Sequence, residues 1–253
     1  MKITILGSGT STGIPMVGCD CRVCSSKDAR DQRTRSSLLI RYNNRTVLID
    51  TSTDLRQQAL QSGITRIDAV LFTHSHADHV NGIDDLRGFH FIHKEVIPCY
   101  ASGTTLATLM SGFRYIFQEY DDSGYAPLLT AHEISAPFDL FGRTVVPIPL
   151  IHGKTTSLGY RIGPCAYLTD CSDIPDSSLQ LLEGVQLLVI DGLRWTAHPS
   201  HFNIEGAINV ARPLGIARVV LTHLTHEVAH SDEATLPDGF EFAYDGLEIA
   251  LQP

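Results

Sequence analysis

The sequence predicts an α/β protein in which mixed parallel and antiparallel sheets are covered by helices. Three observations predict it. Residues 37–42 and 46–50, both rich in branched apolar side chains, flank Asn43-Asn44 and read as a hairpin. Strand-like and helix-like stretches alternate through the second half, as they do where crossover helices join parallel strands. Four apolar runs each end in a histidine or an aspartate, and strand ends are where α/β sheets open onto a ligand crevice.

Taken in order, residues 3–6 are a short strand ending in Gly7-Ser8-Gly9-Thr10-Ser11-Thr12-Gly13. A glycine-rich loop there can cradle phosphate, but it has neither the Gly-x-Gly-x-x-Gly spacing nor a P-loop lysine, and a tight turn explains it equally well. After the hairpin, residues 51–62 predict a helix stopped by Gly63. Residues 69–72 read as a buried strand and 80–86 as a short helix. A strand near Val96-Ile97, a helix over 105–110 and an aromatic-rich loop follow. Residues 145–151, 157–162, 166–169, 187–190 and 218–222 predict strands. Helices over 175–182 and 204–212 end at Gly184 and at Pro213-Leu214-Gly215. Phe240-Glu241-Phe242 and Leu247-Glu248-Ile249 flank Asp245-Gly246, which predicts a closing hairpin.

With 253 residues, 43% hydrophobic and 19% charged, the chain is globular, and no repeat or linker divides it. A single domain over residues 1–253 is expected. The apolar run after Met1 is too short for a signal peptide and no stretch is long enough to span a membrane, so a soluble, cytoplasmic protein without a membrane partner is expected. The formal charge is -9, from 19 basic and 28 acidic side chains, with no Lys/Arg run. That balance disfavours a nucleic-acid partner but not a small anionic ligand drawn to a bound cation.

The stretch Thr73-His74-Ser75-His76-Ala77-Asp78-His79 follows the apolar run Ala69-Val70-Leu71-Phe72 directly. Imidazoles and a carboxylate in a tight loop at a strand end can converge on a divalent metal. The pattern recurs: His152 ends Pro149-Leu150-Ile151, Asp170 ends Tyr167-Leu168-Thr169, and His223 ends Val220-Leu221-Thr222. Together His74, His76, Asp78, His79, His152, Asp170 and His223 are too many donors for one tetrahedral ion and suit two ions sharing a carboxylate. His74 and His76 alternate outward, while Asp78 and His79 begin the next turn and face elsewhere. Asp50 and Asp191 also follow apolar runs and could accept from the far nitrogen of a ligand imidazole, or cap a turn.

Of six cysteines, three fall in Cys19-Asp20-Cys21-Arg22-Val23-Cys24, a clustering that favours metal over disulfides in a chain without an export signal. His226, three residues past His223, can complete a closed Cys3His zinc site in the loop around 18–25. Cys99, Cys165 and Cys171 read as small buried apolar side chains. His201 is open between a general acid and a histidine at a helix start. His90, His93, His132, His198 and His230 are given no direct role.

The Thr-His-x-His-x-Asp-His form with its spaced His, Asp and His resembles the metallo-β-lactamase superfamily of hydrolases. Gly18-Cys19-Asp20-Cys21-Arg22-Val23-Cys24, Leu48-Ile49-Asp50, Pro149-Leu150-Ile151-His152, Leu221-Thr222-His223-Leu224-Thr225-His226 and Pro237-Asp238-Gly239-Phe240-Glu241 narrow the resemblance to its PhnP-like phosphoribosyl cyclic phosphodiesterases. The resemblance implies a four-layer αββα sandwich with the metals at one edge. It implies one ion on His74, His76 and His152, another on Asp78, His79 and His223, Asp170 bridging, and structural zinc on Cys19, Cys21, Cys24 and His226. Manganese is the active-site metal it implies, with zinc or iron as alternatives, and a homodimer the assembly. His201 aligns with the histidine beside the leaving group and becomes the general acid, acting with Asp78 and Asp170.

A small phosphodiester, cyclic phosphoribosyl or nucleotide-like, is therefore the expected substrate, cleaved by a two-metal, bridging-hydroxide mechanism. Residues 88–126 depart from the family's pattern and are expected to line the substrate pocket, and Cys171 after Asp170 and the loop holding Arg194, Trp195 and His198 depart as well. Other readings of the same motif are a tRNA 3′-processing nuclease, which would need a basic docking surface, and a thioesterase of the glyoxalase type, which lacks the cysteine cluster. A flavo-diiron reductase would want Glu at Ala77. A non-hydrolytic PQQ-biosynthesis B-like protein shares the cysteines but not the intact donor set from His74 to His79.

Overall fold

The computed structural model describes residues 1–118 and 128–252. Strands β1 (Lys2–Gly7), β2 (Ser37–Tyr42), β3 (Arg45–Ile49), β4 (Ala69–Leu71), β5 (Ile97–Ala101) and β6 (Leu129–Glu133) belong to one sheet. Strands β7 (Phe138–Leu140), β8 (Arg143–His152), β9 (Thr155–Ile162), β10 (Cys165–Leu168), β11 (Leu187–Asp191), β12 (Arg218–Thr222) and β13 (Phe240–Phe242) form the other. A last strand, β14 (Glu248–Ala250), returns to the edge of the first sheet beside β1. Both sheets have seven strands, and each mixes antiparallel hairpins with parallel neighbours such as β3–β4–β5 and β10–β11–β12.

The period of two along each strand builds the layers. Ile3, Ile5, Leu38, Ile40, Val47 and Ile49 of the first sheet meet Val145, Tyr160, Ile162, Leu187 and Val189 of the second in one buried cluster. The residues between them, such as Leu39, Leu48 and Val70, point the other way. They pack under helices α1 (Leu55–Gln61), α2 (Ala77–Val80), α3 (Arg87–His93), α4 (Gly103–Gly112) and α5 (Arg114–Phe117), through Leu55, Val80 and Leu109 among others. On the far side Leu150, Leu168, Leu188 and Ile190 pack beneath α6 (Asp176–Leu179) and α7 (Ile204–Ala211). Strands covered on both faces carry apolar residues at every position, which is why they read as unbroken runs. The result is the four-layer αββα sandwich of the metallo-β-lactamase fold.

Three expected elements differ. The closing hairpin does not form: β13 pairs with β12 in the second sheet and β14 with β1 in the first. Asp245 makes the turn a crossover, its carboxylate accepting from the backbone N–H and hydroxyl of Ser8 (2.9 and 2.8 Å) and of Thr34 (2.7 and 2.6 Å). Those bonds bind the turn to the loops between β1 and β2 and leave the two flanking segments facing different sheet edges.

The helix expected over 51–62 starts only at Leu55, because Asp54 is drawn out to the backbone and guanidinium of Arg35. The helix expected over 80–86 is divided between α2, which begins inside the metal motif, and a 3-10 turn over Ile83–Leu86. Gly82 separates them by donating its N–H to Thr51 O and passing so close to Ser52 that a Cβ would stand 2.0 Å from that carbonyl oxygen.

Of residues 88–126, expected against the substrate, Gly88, Phe89, Phe91, Ile92 and His93 instead line an apolar cleft with Leu55, Ala59 and Ile64 that contains none of the seven donors. Residues 119–126 of that stretch lie outside the described residues.

Candidate metal centre

All seven expected donors meet at one end of the sandwich. His74 follows β4, His152 closes β8, Asp170 follows β10 and His223 follows β12, while Asp78 and His79 lie in the single turn of α2. Because β10, β11 and β12 run parallel, Asp170, Asp191 and His223 leave their strands at the same edge. Asp170 and His223 both adopt left-handed backbone, at φ 52° and 60°, an uncommon conformation for residues other than glycine that turns each side chain sharply off its strand.

The donors divide into two sets around Asp170. His74, His76, His152 and Asp170 form one group with ligand atoms mutually within 4.8 Å, and Asp78, His79 and His223 form a second. Asp170 faces both. Its Oδ1 lies 3.1 Å from His79 Nε2 and 3.4 Å from His223 Nε2; its Oδ2 lies 3.7 Å from His74 Nε2 and 3.9 Å from His152 Nε2. Asp78 Oδ2 completes the second set at 3.4 Å from His79 Nε2 and 3.6 Å from His223 Nε2. His76 is the exposed member, its ring edge-on to His74 and His152 with centres 4.5 and 5.1 Å away.

The far nitrogens fix the tautomers. His79 Nδ1–H donates to Asp50 Oδ2 at 2.7 Å, and His152 Nδ1–H to the Ser200 carbonyl at 2.8 Å. The Thr73 hydroxyl donates to Asp50 Oδ2 (2.8 Å) and so accepts from His74 Nδ1–H at 3.0 Å. Each ring thus turns its Nε2 inward, and the buried Nε2 atoms of His74, His79 and His223 have no hydrogen-bond partner among the described residues. Lone pairs on nitrogen facing carboxylate oxygens repel unless a cation lies between them, so the donor set fits divalent metal ions.

Without an ion, protons carry the compensating charge. Against its burial, Asp170 is held well below the ordinary carboxylate range by His223 and His79. Against the same burial, Asp170 and Asp50 raise His79 well above the imidazole range, and Asp170 and Asp78 bring His223 up to about 9. Metal binding there must displace protons and weakens as pH falls.

Asp191 takes a different partner from the one its position suggested. Its Oδ2 accepts from His201 Nδ1–H at 2.6 Å and from Cys171 N–H at 2.9 Å, orienting the candidate acid. His201 stacks on His223, ring centres 4.8 Å apart at 13°, and points Nε2 toward Asp170 Oδ2 at 4.0 Å. Asp50, by contrast, does serve a ligand-type ring, that of His79. Thr73 and Ser200 were missed; Thr73 stood inside the motif, whereas Ser200 acts through a carbonyl that no sequence pattern reveals.

The cysteine cluster closes as a second centre. Cys19, Cys21 and Cys24 place Sγ 3.2, 3.4 and 3.7 Å from His226 Nδ1. Backbone N–H groups of Met16 and Cys24 point at the sulfurs of Cys24 and Cys21. The Cys24 amide lowers Cys21 to about 6, whereas burial raises Cys24 to about 11. Four mutually close N/S donors suit a tetrahedral zinc.

Residues 45–224 match the family model for the beta-lactamase superfamily domain. A crystal structure of a diphosphatase of the PhnP family is 41% identical and superposes with a TM-score of 0.92 over 98% of this chain and 96% of its own. A Porphyromonas gingivalis protein named octanoyltransferase is 44% identical over 257 residues, 99% of this chain but 52% of its own length, so the chain spans about half of it. Coenzyme PQQ synthesis protein B of Xanthomonas oryzae is 28% identical over 99% of this chain and all of its own. The family match covers more than half of the 253 residues and includes every donor of the two-set cluster: the chain belongs to the beta-lactamase superfamily.

Proposed function

We propose that this metal-dependent hydrolase cleaves a small phosphodiester or diphosphate, with two ions held by the two donor sets and His201 as general acid. The observation that carries this reading is Asp170, whose two oxygens each face a different donor set. When bound, a pair of divalent ions supplies a water of lowered pKa and neutralises charge on the phosphoryl oxygens. Manganese is the proposed metal, with zinc or iron as alternatives.

The chain's own residues do the rest. Asp50, Thr73 and the Ser200 carbonyl accept from Nδ1–H of His79, His74 and His152 and so turn the Nε2 of each ring inward. Asp191 accepts the His201 Nδ1–H and so orients the ring with Nε2 toward the donor sets, from where its proton passes to the departing oxygen. The similarity to a PhnP-family diphosphatase at 41% identity supports a phosphoryl substrate. The Porphyromonas protein's name belongs to a chain about twice as long, so it does not carry over to this one. The intact donor set also favours hydrolysis over the pathway role of the PQQ relatives.

Metal analysis of the loaded protein, with turnover of bis(p-nitrophenyl) phosphate, tests the reading. Two active-site ions per chain and metal-dependent release of nitrophenolate are expected; fewer than two ions, or no release, would sink it. A third ion, zinc, is proposed on the cysteine centre. Cys24→Ser should lose that zinc alone and lower the melting temperature by at least about 5 °C, because the centre joins the loop around 18–25 to the segment after β12. Retention of zinc in Cys24→Ser would refute the assignment.

A further inference from the structure

One histidine beside His201 has no part in the reading above. His198 lies in the loop between β11 and α7, and the loop is pinned along its length. Leu193 N–H donates to Phe202 O, Thr225 N–H to Leu193 O, and Asn203 Nδ2 to the Trp195 carbonyl at 3.1 Å. The Arg194 guanidinium spans the loop, donating to the Thr196 and Ala197 carbonyls at 3.3 and 3.1 Å and lying 3.4 Å from Glu227 Oε1.

Ser200 then fixes the ring. Its backbone N–H and its hydroxyl both approach His198 Nδ1, at 3.4 and 3.2 Å. An amide N–H can only donate, so Nδ1 accepts and the proton of the neutral ring sits on Nε2. Ser200 is itself immobile: its carbonyl takes the His152 Nδ1–H, and a Cβ added to Gly153 would stand 2.9 Å from the Ser200 Cβ. The His198 ring lies 5.1 Å from that of His201, inclined at 50°. Burial first, then the neighbouring His201 and Arg194, hold its pKa below the ordinary imidazole value, so the ring remains a neutral donor near pH 7.

We propose that His198 binds the leaving group, its Nε2–H donating to an oxyanion that the leaving group carries beside the oxygen served by His201. His198 would then select substrates in which the departing fragment is itself a phosphate, over esters whose leaving group is neutral apart from the departing oxygen. This rests on the phosphoryl-hydrolase reading above and adds which half of the substrate is recognised.

The test uses two non-hydrolysable ligands on the metal-loaded protein, followed by calorimetry. Methylphosphonate can occupy only the ions, whereas methylenediphosphonate also presents a second phosphoryl group on the leaving-group side. His198→Ala should weaken methylenediphosphonate about tenfold, the worth of one hydrogen bond to a charged acceptor, and leave methylphosphonate unchanged. His198→Gln, whose amide can accept from Ser200 and still donate, should restore most of the loss. Equal weakening of both ligands, or of neither, would overturn the proposal, as would a wild type that binds the two alike. A wild type that holds its metals but releases no nitrophenolate would defeat the hydrolase reading instead, and the ligand comparison would still decide His198.

Discussion

Replacing Asp170 by Asn should empty at least one of the two proposed ion sites and lower the proposed diester turnover by more than about a hundredfold. Partners that merely orient a metal ligand are typically worth ten- to a hundredfold, and Asp170 is placed to be a ligand to both ions. Its Oδ1 faces His79 and His223, its Oδ2 faces His74 and His152, and an amide can offer only one of those oxygens. The NH2 group that replaces the other has no lone pair to give a cation. The substitution is isosteric and spares the backbone bond from Ser157 Oγ to Asp170 O, so the fold should persist. Metal content per chain, measured beside the melting temperature of the metal-free variant, separates loss of ligation from loss of structure. Two retained ions in a folded Asp170→Asn protein would exclude the bridging role.

The donor residues were legible because the sandwich places them where sequence carries a signal. Four of them, His74, His152, Asp170 and His223, follow an apolar run closely, and a histidine or aspartate there has little reason to be present except to face the sheet edge. Residues 69–74, 149–152, 167–170 and 220–223 repeat that form, and the structure brings all four ends together. The four layers came from the family resemblance, because strands that are apolar at every position do not show in sequence which residues face which cluster.

The closing turn was not legible. Asp245-Gly246 carries the local signature of a hairpin, and its pairing is decided by Ser8 and Thr34, more than two hundred residues away in sequence. The split of the expected 80–86 helix has a comparable origin, in the approach of Gly82 to Ser52. Asp191 could be named as an acceptor from its position after β11. Which imidazole it holds depended on the path of the loop that brings His201 back over it, and no periodicity in residues 192–203 encodes that path.

His201→Ala should separate substrates by their leaving groups. A diester that expels an alkoxide needs a proton at the departing oxygen, and loss of a positioned acid costs roughly 10²–10⁴-fold in turnover. Nitrophenolate leaves without a proton, so bis(p-nitrophenyl) phosphate should lose far less, and the dependence of rate on leaving-group pKa should steepen. Asp191→Asn should show the same pattern more weakly, because its Oδ2 receives the His201 Nδ1–H at 2.6 Å and an amide there orients the ring less firmly.

Geometry also offers the competing possibility that His201 binds metal, since His201, Asp170 and His223 fall within one potential ligand group. Each donor set already has three residues besides the shared Asp170, His74, His76 and His152 in one and Asp78, His79 and His223 in the other, so His201 would be a surplus donor. Metal content in His201→Ala should therefore match the wild type. An ion lost together with activity on both classes of ester would make His201 a ligand and leave the departing oxygen without an assigned acid.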